Sequence, residues 1–117
     1  MTPIFSNKGS TVGWLERDVV YDKGGKPVAF IRDGAVYSYK GRYLGRLDGG
    51  YFRDNSGSAV AFIKGATGGP TTPIPEVPPI PPIPAIPPIP PIPPIPPIPS
   101  IPSLGWSATD WQQYLSG

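Results

Sequence analysis

Apolar residues in the first half of the chain fall into paired short runs, each pair split by polar residues and a glycine. The blocks read IFSNKGSTVGWL (Ile4 to Leu15), VYDKGGKPVAFI (Val20 to Ile31), VYSYKGRYLGRL (Val36 to Leu47) and FRDNSGSAVAFI (Phe52 to Ile63). Each begins sixteen residues after the last with no insertion, so the four are copies of one structural unit. Two β-rich runs flanking a glycine predict a hairpin. The triplets between the arms are Asn7-Lys8-Gly9, Lys23-Gly24-Gly25, Tyr39-Lys40-Gly41 and Asn55-Ser56-Gly57. A closing glycine suits a three-residue loop, in which a type I turn is followed by a left-handed residue that forms a bulge. Arg32-Asp33-Gly34 and Asp48-Gly49-Gly50 supply turn chemistry for the connectors.

Strict alternation along the second arm divides its residues between two faces. One face is expected to hold Val12 with Trp14, Val28 with Phe30, Leu44 with Arg46 and Val60 with Phe62. The other holds Gly13 with Leu15, Ala29 with Ile31, Gly45 with Leu47 and Ala61 with Ile63. A glycine or alanine at the same place in every copy predicts close backbone approach near a pseudo-fourfold axis, with leucine or isoleucine filling the centre. The aromatic face is too apolar to stay wet. Arg46 breaks it in the third repeat.

An isolated hairpin is marginal in water, so the four must share a core. The expectation is all-β: four 16-residue hairpin repeats in a pseudo-fourfold arrangement over residues 1–66, followed by a polyproline II tail and a short C-terminal helix. Units close to VYDxxGxxVAFI in this register resemble the bacterial four-fold β-flower domain, over roughly residues 2 to 66. That resemblance implies a petal-like fold and no established activity.

Past a linker at 67–73 the period changes to three. Ile74, Val77, Ile80, Ile83, Ile86, Ile89, Ile92, Ile95, Ile98, Ile101 and Leu104 recur every third position with proline in most places between. Polyproline II has three residues per turn, so the ladder lies on one edge of the 74–104 segment, and a straight rod of that length would span roughly 100 Å. A 65-residue domain is only about 28 Å across. The rod therefore exceeds the head more than threefold. One reading is a bare spacer. The favoured one is that the ridge packs on its own domain, on rods of other chains or on a partner, with Ile80, Ile83, Ile86, Ile89, Ile92, Ile95 and Ile98 as interaction residues. PxxP motifs occur throughout, but no flanking Arg or Lys supports docking into SH3-type grooves.

The last segment, 105–117, carries Trp106 and then a short helical pattern. Ser107 or Thr109 is placed to cap it, with Trp111, Tyr114 and Leu115 on one side. A hydrophobic plug is expected, with a free recognition peptide as the alternative.

Composition narrows the chemistry. The chain has no cysteine and no histidine, which removes thiolate chemistry and the commonest general base and metal ligand. No enzyme and no cofactor are expected. All ten basic and six of the eight acidic side chains precede residue 70, so the head is about +4, mildly basic. No apolar run of eighteen residues or signal-peptide pattern occurs, which predicts no membrane span and a cytoplasmic location. Asp22, Asp54, Ser6 and Ser38 occupy equivalent places and would reach a cation only by converging on the axis; Asp or Ser before a tight turn more often accepts local backbone hydrogen bonds. The third repeat gathers Tyr37, Tyr39, Lys40, Arg42, Tyr43 and Arg46 without an acid, a pattern that can bind anionic polymers but equally fits cross-strand packing. The sequence thus points to a non-enzymatic structural or interaction module, homo-oligomeric through its ladder or engaging a protein partner through the proline-rich tail. Binding of nucleic acid or another anionic ligand through the third repeat is the alternative.

Overall fold

The computed structural model describes residues 1–116. Eight antiparallel strands follow in chain order: β1 (Thr2–Ser6), β2 (Thr11–Glu16), β3 (Val19–Tyr21), β4 (Pro27–Arg32), β5 (Ala35–Ser38), β6 (Tyr43–Asp48), β7 (Tyr51–Arg53) and β8 (Ala59–Phe62). They close into a barrel when β8 returns to β1 through Phe5↔Phe62 and Ser6↔Ala61. Closure removes every unpaired sheet edge, which a chain of four marginal hairpins needs.

Each hairpin loop is built as its glycine requires. In the first, the Gly9 N–H donates to Ser6 O and the Ser6 N–H to Ser10 O; Asp22, Ser38 and Asp54 repeat the pattern. Gly9, Gly25, Gly41 and Gly57 take φ between 83° and 89°. The polar residue before each turn bonds locally. Asp22 Oδ1 accepts from the Gly24 and Lys26 N–H groups, Asp54 Oδ1 from Ser56 and Ser58, Ser6 Oγ from Lys8 and Ser10, and Ser38 Oγ from Arg42.

The expected alternation of the second arm fails at one place, identically in all four repeats. Ile4 pairs with Gly13 but Phe5 with Thr11, leaving Val12 as an extra residue. Val28, Leu44 and Val60 are bulged in the same way. A bulge resets the face on which side chains emerge. These four residues therefore join the interior with Ile4, Val20, Val36 and Phe52, while Trp14, Phe30, Arg46 and Phe62 stay outside.

Leu15, Ile31, Leu47 and Ile63 pack around the core only partly buried. The centre is filled from the hairpin-loop end by α1 (Trp111–Leu115). Its cap is Asp110, not Ser107 or Thr109: the carboxylate accepts from the Gln113 N–H while Gln113 reaches back to the Asp110 N–H, a capping box. Trp111 and Tyr114 point into the barrel, with Trp111 edge-on to Phe52 at 5.1 Å. A Cβ at Gly13 would stand 2.5 Å from Tyr21 O and 3.7 Å from Trp111 Nε1, and at Gly45 it would stand 2.8 Å from the Tyr114 hydroxyl. Repeats one and three carry glycine where two and four carry Ala29 and Ala61, and the two ring heads sit against those glycines.

Between barrel and plug the chain does not leave the head as a rod. It circles the barrel. The Glu76 N–H donates to Gly9 O at 2.8 Å, the Ala85 N–H to Gly25 O at 2.9 Å and the Ser103 N–H to Gly57 O at 3.0 Å. These donors stand at multiples of nine residues, about 28 Å of polyproline II, so one step carries the tail from petal to petal. Position 94, where the fourth donor would stand, is a proline without an N–H; there the Tyr37 hydroxyl donates to Pro94 O instead. Four such steps make a circle about 36 Å across, and the molecule measures 36 × 35 × 21 Å.

The pins make a direct prediction. Ala85→Pro suits the polyproline II tract, yet it deletes the donor to Gly25 O and sets its ring Cδ against that oxygen. Denaturant unfolding should show a loss of at least about 1 kcal/mol, and an unchanged or raised stability would show that the pin contributes nothing.

Candidate functional site

The outer surface of the barrel is built from cross-strand pairs that link neighbouring repeats. Trp14 faces Tyr21, Phe30 faces Tyr37 and Phe5 faces Phe62, each on adjacent strands. These rings lie outside the barrel yet are almost wholly buried. Trp106 forms part of the cover, lying 6.0 Å from Phe62 and 6.1 Å from Tyr51, and the segment around it is held by a parallel bridge to Ala59.

The fourth pair is Arg46 with Arg53. Arg53 is only 4% exposed and holds both ends of the belt. Nη2 donates to Gly68 O at 3.0 Å where the tail begins, and Nη1 to Ser103 O at 2.8 Å where the circuit ends, as well as to Gly57 O. Nearby, the Tyr51 hydroxyl donates to Pro70 O. The belt is thus buckled on the fourth petal. From there Asp54 secures the plug: the Ser107 hydroxyl donates to its Oδ2, and Tyr114 donates to Arg53 O at 3.1 Å.

Turning its backbone to the barrel, the belt presents its ladder outward. The isoleucines and valine from Ile74 to Ile101 are 88–97% exposed and Leu104 76%. Backbone folding back on the head therefore hides none of the ridge. Trp106 is half-buried and Trp111 and Tyr114 are buried inside the molecule.

The third-repeat residues are spread over different surroundings. Tyr37 is buried in a stack with Phe30 at 5.5 Å, and Tyr39 and Tyr43 flank that cluster half-buried. Burial raises the pKa of both Tyr39 and Tyr43, in the latter against the pull of the adjacent Arg46. Lys40 and Arg42 are exposed near the plug, whereas Arg46 faces the belt at 97–102. The Tyr37 ring is not open for a base to stack on.

The family model for the 4-fold beta flower protein matches residues 2–115, tail and plug included. This chain belongs to that family. Among curated proteins and solved structures, none matches it. In this beta flower the petals are the four hairpins. No helix among the described residues is long and apolar enough to cross a membrane.

Arg53, Glu76 and Asp54 carry the assembly of the beta flower; sequence reading missed the first two and gave Asp54 only its local turn role. Their only signal was interruption of a pattern: Arg53 where the other repeats have Phe5, Tyr21 and Tyr37, and Glu76, Ala85 and Ser103 as non-prolines nine residues or a multiple of nine apart. Glu76 also accepts from the Thr11 N–H at 2.9 Å, which holds its carboxyl below the ordinary value. Burial raises the Asp54 carboxyl, but hydrogen bonds from Ser107, Ser56 and Ser58 outweigh it and hold the pKa below its ordinary 3.8.

A carboxyl depressed on folding stabilises fully above its unfolded value, and that contribution is lost as pH falls through the lower folded value. The melting temperature of the beta flower should therefore drop on acidification below about pH 4. Asp54→Asn should make that acid limb shallower in circular-dichroism melts. An unchanged limb would remove Asp54 from the account.

Proposed function

We propose that this beta flower is a non-enzymatic structural and interaction module that self-associates through its isoleucine ladder. The observation that carries the reading is the ring of bare aliphatic side chains from Ile74 to Leu104, nearly all more than nine-tenths exposed. Contiguous apolar surface on this scale marks an interaction site, and none of it is needed to hold the belt, which is pinned by backbone groups. A second copy is the natural occupant. Its ladder has the same spacing, about 9.3 Å per turn, so two ridges interdigitate in register. Two convex rims touch only along an arc, so covering the ring takes several neighbours, and the favoured product is a multimer larger than a dimer.

Deleting the tail is a poor test because it would also strip Trp106 from Phe62 and remove the plug. Changing only the outward side chains separates the two effects. The variant Ile80→Gln, Ile86→Gln, Ile92→Gln, Ile98→Gln keeps every proline, and proline fixes the backbone. Each isoleucine buried at a contact contributes at most about 1.5–3 kcal/mol. Light scattering should therefore find the parent chain multimeric and the variant monomeric, with melting of the single head little changed. A monodisperse monomer of the parent chain at tens of micromolar would overturn the proposal.

A further inference from the structure

Where the other petals place a pair of aromatic rings beneath the belt, the third and fourth place Arg46 opposite Arg53, and a cavity of about 400 Å³ opens there. Its floor is Tyr43, Arg46, Arg53 and Asn55, and its wall is the belt from Pro97 to Pro102. The volume lies within the range of small-molecule sites. The belt also lacks a backbone pin in the stretch that leads to this cavity. Gly41 has no tail carbonyl against it, unlike Gly9, Gly25 and Gly57, and Pro94 offers no N–H.

Two guanidinium groups directly opposite on adjacent strands repel each other, so the pair needs negative charge. The cavity contains two carboxylates, one engaged elsewhere and one held at the limit of ion-pair range. Asp54 takes hydrogen bonds from Ser56, Ser58 and Ser107. Asp48 is the one ion-pair partner found among the described residues; it approaches Arg53 Nε only to 4.0 Å and is 55% exposed. That distance is too long for a hydrogen bond, and the buried Arg53 Nε has no acceptor among the described residues. Arg46, half-buried on the cavity floor, has no carboxylate within ion-pair distance among the described residues.

We propose that this cavity binds a small organic oxyanion, a carboxylate or phosphate on a compact apolar body. Arg46 takes the anionic group, Arg53 adds its field from below, and Tyr43 with Pro97, Pro99 and Pro102 encloses the apolar part. Arginine suits this role because its planar fork matches the geometry of both anions. The site is independent of the outward ladder, since it lies on the inner side of the belt.

Two-dimensional NMR of the full chain titrated with phenyl phosphate, benzoate and neutral benzyl alcohol tests the proposal. Saturable shifts are expected with one or both anions, centred on Arg46, Arg53 and residues 98–101, and the stronger binder identifies the head group. Arg46→Gln removes the charge and should weaken binding at least about tenfold. Arg46→Phe restores the aromatic pattern of the other petals, so it should fold with an equal or higher melting temperature while abolishing the shifts. No saturable shift with either anion at millimolar concentration would overturn the site. So would retained affinity in the Gln variant, or benzyl alcohol binding as tightly as the anions.

Discussion

The carbonyls of the hairpin-loop glycines organise this molecule. A glycine in the left-handed region is needed to close each loop, and without a Cβ its face is open to another chain. The tail backbone comes close enough that a Cβ on Gly9, Gly25 or Gly57 would stand 2.4–2.9 Å from the carbonyl oxygen of Ile74, Ile83 or Ile101. The residue that makes the turn possible is therefore also the docking point for the belt. Fourfold repetition of the loop gives the belt its path, and the donors at Glu76, Ala85 and Ser103 fix its register.

That arrangement answers a problem inherent in the barrel. Eight short strands enclose a small interior, and the same strands carry aromatic rings outside. A core of about 65 residues is close to the lower size for independent stability. The tail enlarges it twice over. Trp106 seals an outer aromatic cluster, and Trp111 and Tyr114 complete the inner one. Burial pushes the Tyr114 hydroxyl far above its ordinary pKa, as expected of a phenol that donates to the Arg53 carbonyl inside the protein.

Departures from fourfold symmetry are concentrated in one sector. The belt starts and ends on the fourth petal, so Arg53 replaces an aromatic ring there in order to bond carbonyls at both ends. Its cross-strand neighbour Arg46 then lies where a ring would pack, and the missing donor at Pro94 precedes the same sector. A closed ring cannot be symmetric where the chain enters and leaves it, and polar groups gather at that seam because two chain ends bring unpaired carbonyls.

By itself the sequence determined everything set by local geometry. The sixteen-residue period, the glycine-closed loops, the local role of Asp22 and Asp54, the aromatic helix and the single edge of a three-residue ladder all follow from backbone preferences and short-range spacing. The tertiary structure decided the rest. The bulges at Val12, Val28, Leu44 and Val60 depend on pairing with a neighbouring strand, so alternation within one strand misassigned their face. The helix cap moved to Asp110 because Gln113 completes its hydrogen-bond pair and Ser107 is drawn to Asp54. Most consequential was the tail. A rod somewhat more than three times the width of the head has the length of its circumference, but only the positions of three loop carbonyls and the Tyr37 hydroxyl in space could bend that rod into a belt.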